Sequence, residues 1–271
     1  MQILQNVLHS LTKRKKQAGK VTVTAAVAAV FIAAIVVSAN GILSYQKAVT
    51  KKTFGGWFIM ENSSNGTQSE ELKTHPYLAG SGKAVNTAVY SVSELSSTEI
   101  KIGYMDSMAA QLASLTLLKG AMPQNNDEIA VERHTLETLG YSEELGQTIT
   151  VSYPDKNNKT SIYEKRLAVR EYTLTGVLED YAAYWDSGSY MPVMLVTQIE
   201  AENYAQTESV TTLYALNEDI HTADYRQIYQ GMYKVSTADT KLIYNSAKAV
   251  AIKSINKNIN RGNILAKCVS V

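Results

Sequence analysis

The sequence is poor in the residues that staple or break a chain: one cysteine and four prolines in 271 residues. Cys268, near the C-terminus, has no partner for an internal disulfide, so the folded part must be held by a hydrophobic core. Neither charge sign dominates. With 26 Lys and Arg against 25 Asp and Glu the net charge is +1, so no nucleic-acid partner is expected. A phosphate-cradling glycine loop with its lysine is absent too, which excludes ATP binding by that route.

Catalytic and metal-binding patterns are equally missing. His9, His75, His134 and His221 are scattered singly, without metal-ligand spacing. Ser81, in Gly80-Ser81-Gly82, lacks the strand–turn–helix setting of a nucleophile and reads as a linker turn. The pairs Glu143-Glu144 and Glu179-Asp180 read as solvated carboxylates. No catalytic residue, cofactor or metal is therefore expected, and the chain reads as a non-enzyme.

What the sequence does hold is one long uncharged run, Val21 to Leu43, with Phe31 near its middle. A helix needs roughly 20 such residues to cross about 30 Å of hydrocarbon. Lys13, Arg14, Lys15, Lys16 and Lys20 precede it, and the lighter set Lys47, Lys51 and Lys52 follows. That bias puts the N-terminus in the cytosol and the body of a single-pass cell-membrane protein outside. A cleaved signal peptide ending near Val37-Ser38-Ala39 is the competing reading, and the run exceeds the usual apolar core of about 7–15 residues. Before it, Ile3, Leu4, Val7, Leu8 and Leu11 share one helical face, as in a helix lying on the inner leaflet.

The expected organisation is an interfacial helix over 1–19, a membrane helix over 20–44 and a stalk over 45–54 that ends at Gly55-Gly56. A folded domain over 55–244 and a basic amphipathic tail over 245–271 follow. Within the domain, residue patterning predicts strands at 57–60, 84–93, 99–104, 128–132, 145–151, 164–169, 172–178, 190–196 and 210–216. Helices are predicted at 107–118, 134–139 and 199–206, with Gly140 stopping the second. Tyr153 to Asn158 reads as a loop or hairpin tip. The mixture is α+β.

Four short motifs recur in an order that resembles a known family. They are Leu118-Lys119-Gly120-Ala121-Met122-Pro123, then Asn125-Asn126-Asp127-Glu128-Ile129-Ala130-Val131, then Leu145-Gly146-Gln147-Thr148-Ile149, and finally Tyr172-Thr173-Leu174-Thr175-Gly176-Val177-Leu178. Together they resemble the extracytoplasmic core domain of MacB-like and FtsX-like ABC transporter permeases, with Gly120, Pro123, Gly146 and Gly176 at the structural turns. Ala121 stands where the pattern usually has arginine, and Gln147 where it has aspartate.

The resemblance implies a two-lobed mixed α/β domain on a single N-terminal membrane helix, with an inserted lobe at about 118–200. It also implies a separate ABC ATPase subunit, further permease helices that this chain lacks, the lipid bilayer, and a peptide or protein substrate. Tyr181, Tyr184, Trp185 and Tyr190 cluster around a Gly/Ser loop and read as a partner contact, with half-buried packing as the alternative. The competing functional reading is a stand-alone anchored binding or sensing protein, or a truncated permease.

Overall fold

A computed structural model describes residues 30, 38, 41–63, 69–91, 99–154, 167–183, 185, 188–204, 209–217, 225–233, 240–255 and 257. The chain divides into two compact units, Met1–Ala48 and Val49–Val271. In the first unit the described residues are helical, Leu43 among them. Val21, Phe31 and the expected interfacial helix lie outside the described residues. Among the described residues no helix is long and apolar enough to cross a membrane.

The second unit opens with helical residues 49–54, here α1. The elements that follow are β1 (Ile59–Ser63), α2 (Glu70–Lys73), β2 (Leu78–Ser91), β3 (Glu99–Met105), α3 (Ser107–Ala113), β4 (Leu117–Gly120), β5 (Glu128–Glu132) and α4 (Arg133–Leu139). Then come β6 (Thr148–Pro154), β7 (Leu167–Leu178), β8 (Met194–Leu195), α5 (Gln198–Tyr204), β9 (Ser209–Leu216), α6 (Tyr225–Tyr233) and β10 (Thr240–Tyr244). Helical residues 246–255, α7, end the described chain apart from residue 257. This is the mixed α+β class expected.

The strands join one hydrogen-bonded sheet in the order β10-β1-β9-β2-β3-β8-β5-β7-β4, with β6 bridging β2 and β7. The β3–β8 and β5–β7 pairs are parallel and the others antiparallel. Successive side chains on a strand point to opposite faces. Ile59 and Met60, successive on β1, accordingly enter different core clusters; just before the strand, Phe58 joins the cluster of Ile59 and Trp57 that of Met60. A third cluster packs β5, β6 and β7 beneath Leu136 of α4.

Several expectations are corrected. The helix predicted to reach Leu118 stops at Ser114, whose φ is 57°. Its last turn is claimed by other backbone, since Gly56 N donates to Leu112 O and Ser114 Oγ to Lys51 O. Leu117 and Leu118 then belong to β4, so apolar spacing continued past the end of the helix. The supposed turn at 80–82 is instead strand, and a Cβ on Gly82 would stand 2.0 Å from Ala109 N. Glycine is there to let α3 lie against β2.

The two strands expected at 164–169 and 172–178 are one, β7, because the alternation runs unbroken through the exposed Val169 and Glu171 and the buried Tyr172. The strand expected at 190–196 shrinks to a helical turn, Gly188–Tyr190, and the two-residue β8. The tip of the expected hairpin, 155–158, lies outside the described residues, while Tyr153 and Pro154 pair with Ala168 and Leu167.

Candidate functional site

The four motifs, spread over residues 118–178, assemble around a single strand. The fourth is β7 itself. The first reaches it at the cross-strand pair Gly120–Gly176, continued by Ala121 N donating to Thr175 O at 2.8 Å. The second lies parallel to it as β5, and Thr173 N donates to Asp127 O at 2.7 Å. The third closes on its other side, where Gly146 N donates to Leu174 O at 2.8 Å and Leu174 N to Gln147 O at 2.9 Å.

The glycines are required at this node for two different reasons. Gly120 and Gly146 sit at φ of 80° and 87°, the left-handed region that disfavours a side chain. Gly176 has ordinary φ but no room. A Cβ there would stand 2.5 Å from Ala121 O. Pro123 is half-buried between β4 and β5, and the Glu128 carboxylate closes that turn by accepting from Gln124 N at 2.7 Å and Asn125 Nδ2 at 2.8 Å. Those bonds hold its pKa below the ordinary value. Gln147 also has a reason to depart from aspartate. Its amide nitrogen donates to Ser142 O and Glu144 O, which a carboxylate cannot do.

Beside this node lies a cleft of about 730 Å³ whose lining includes Lys101, Glu132, His134, Asp180, Trp185 and Met191. Glu132, at the end of β5, is buried and accepts from Tyr181 N at 3.1 Å. Burial pushes its pKa up to about 7 against the pull of that bond, and the nearby Asp180 adds to the rise. Asp180 in turn accepts from His134 N at 3.1 Å and so caps α4 from a distant part of the chain. Two carboxylates beside Trp185 and Met191 suit the cleft to binding.

The four aromatic residues part company. Tyr181 and Trp185 are core: they are 4% and 7% exposed, and Trp185 packs on Trp57 at 5.2 Å and on Tyr181 at 5.9 Å. The Tyr181 hydroxyl donates to Pro192 O, and burial raises its pKa. Tyr184 lies outside the described residues. Tyr190 is half-buried, with Lys241 Nζ 5.1 Å from its ring centre and 2.8 Å from its hydroxyl. His75 is half-buried against Tyr77, the His134 side chain is exposed, and His9 and His221 lie outside the described residues.

A second constellation joins the two ends of the domain. Asn245 Nδ2 donates to Phe54 O at 2.7 Å, and Asn245 Oδ1 accepts from Lys248 N at 3.1 Å as the cap of α7. Lys248 Nζ donates to Gly56 O at 2.6 Å and Trp57 O at 3.0 Å. Burial, with the Lys51 charge as a smaller cause, pulls the Lys248 pKa down to about 8. Sequence reasoning found the tail helix but not this clasp. The signal was an asparagine placed just before an apolar-periodic run.

Solved structures of three bacterial transporter domains align with this chain. The periplasmic region of MacB from Actinobacillus actinomycetemcomitans aligns at 13% identity and a TM-score of 0.42, covering 74% of this chain and 94% of that one. A domain of a putative permease from Porphyromonas gingivalis gives 12% and 0.38, covering 70% and 88%. The extracellular domain of the noncanonic ABC-type transporter YknZ from Gram-positive bacteria gives 12% and 0.38, covering 68% and 99%. No protein-family model and no curated protein matches the sequence.

Proposed function

We propose that this chain is a non-enzymatic component of an ABC transporter permease of the MacB-like/FtsX-like kind. The single observation behind the reading is the convergence of the four motifs on β7. Motifs that merely happened to resemble the family would have no reason to pack on one another. In this reading residues 20–44 cross the cell membrane, the N-terminus is cytosolic and the 55–244 domain is extracytoplasmic and two-lobed. A separate ATP-binding subunit drives it together with further permease helices, and a peptide or protein is engaged outside. Purification of the tagged chain from its native membranes is expected to recover the ATP-binding subunit or further permease helices. A clean monomer overturns the transport role.

A stand-alone anchored binding protein is the second reading. The cleft at Glu132 and Asp180 favours it, because its two carboxylates lie beside the apolar Trp185 and Met191. The same purification separates the two.

A further inference from the structure

Charge is segregated along this chain in a way its net value hides. Every one of the 25 acidic residues lies within 57–244, together with 13 of the 26 basic ones, a net of −12. Residues 1–56 and 245–271 carry the other 13 basic residues and no acid, a net of +13. The fold then brings the inner ends of those two basic segments together. Asn245 and Lys248 bind the carbonyls of Phe54, Gly56 and Trp57, so α1 and α7 leave the domain from one junction.

Lys51, Lys52, Lys253 and Lys257 are exposed on these helices, and so are Val49 at 44% and Val250 at 69%. Glu179 reaches Lys52 at 2.9 Å and neutralises that one. Lys51 is close enough to Lys248 to disfavour its charged form. Like charges gathered at one end of an acidic domain, with valines exposed among them, form the pattern of a surface that meets anionic headgroups.

We infer that the end of the domain formed by 49–54, 246–255 and 257 rests on an anionic bilayer, with Lys51, Lys253 and Lys257 meeting lipid phosphates and Val49 and Val250 entering the interface. This rests on the membrane-anchored reading above. It adds that the domain is held against the membrane by lipid charge as well as by its covalent link to the anchor.

The test uses the full chain carrying Cys268→Ser and a fluorophore on Ser254→Cys, reconstituted in phosphatidylcholine vesicles or in an equal mixture with phosphatidylglycerol. Energy transfer to a headgroup acceptor is expected to be higher in the anionic mixture. High salt, and the triple variant Lys51→Gln, Lys253→Gln, Lys257→Gln, should remove the difference, each lysine contributing about fivefold to the docking equilibrium. Equal transfer in both lipids, with the chain still resisting alkaline extraction, overturns this inference and leaves the anchor standing. Alkaline extraction of the chain overturns the anchor and the inference together. If soluble polyphosphate suppresses transfer in the anionic mixture while the label stays on the membrane, the lysines answer to lipid charge. If polyphosphate instead raises transfer on neutral vesicles as phosphatidylglycerol does, the assignment to lipid is overturned.

Discussion

Gly176 of β7 lies so close to Ala121 that a Cβ at position 176 would stand 2.5 Å from the Ala121 carbonyl oxygen and 3.0 Å from Ala130 Cβ. The Ala121 backbone is held by its own N–H bond to Thr175 O at 2.8 Å, which resists the shift a new Cβ would demand. Gly176→Ala is therefore expected to destabilise the domain by about 2 kcal/mol. Trp57 and Trp185, both buried, give the fluorescence signal for urea unfolding of the full chain in detergent. An unchanged midpoint would show that the motifs do not form a tight node.

Glu132 titrates at about 7 in the folded domain, against an ordinary 4.5. The unfolded chain then loses this proton first as pH rises. Stability is full below about 4.5, falls between there and 7, and is flat above, a loss of roughly 3 kcal/mol. Glu132→Gln should flatten that part of the profile. The measurement is unfolding free energy at several pH values for both proteins, and parallel curves would count against a proton held by Glu132.

Arg170 and Lys52 each pair with a glutamate, but only one of those carboxylates is buried. Arg170 Nε reaches Glu200 at 3.1 Å, where the carboxylate is 3% exposed and also accepts from the Tyr172 hydroxyl at 2.8 Å. Arg170→Met leaves that charge uncompensated and should cost about 3 kcal/mol. Lys52→Met, facing the 38% exposed Glu179, should cost less than about 1 kcal/mol. Denaturation of the two variants side by side checks the ranking.

Asn245→Ala removes a helix cap and the bond to Phe54 O at once, and about 2 kcal/mol of destabilisation is expected. Hydrogen exchange gives the sharper readout. Faster exchange confined to the amides of Lys248 and Ala249 would show fraying of α7 alone; acceleration extending to Gly56 and Phe58 would show that the clasp holds both ends of the domain.

Elements with strong local punctuation were legible from residues alone. The strand at 128–132 and the helix before Gly140 stand where patterning places them, because a left-handed glycine and an unbroken apolar run carry their own instructions. The helical start of the tail, 246–255, was legible from the asparagine that precedes its apolar-periodic residues. β10 and α6 were not, since Thr240–Tyr244 is partly buried and becomes a strand by pairing with β1. Gly80 to Gly82 misled because glycine marks a turn in isolation, while here it marks the place where α3 packs on β2.

The candidate site divides along the same line. Sequence determined the glycines and their order, the uncharged run at 21–43 and the concentration of acid in the middle of the chain, since composition and spacing are properties of a linear string. Tertiary structure decided that the four motifs meet on β7 and that Asp180 caps a helix begun at Arg133. It also decided that burial strips water from Glu132 at the cleft wall and that Asn245 grips Phe54 across 191 residues. These are contacts between distant segments, and their strength comes from burial and hydrogen-bond geometry that exist only once the sheet has closed around them.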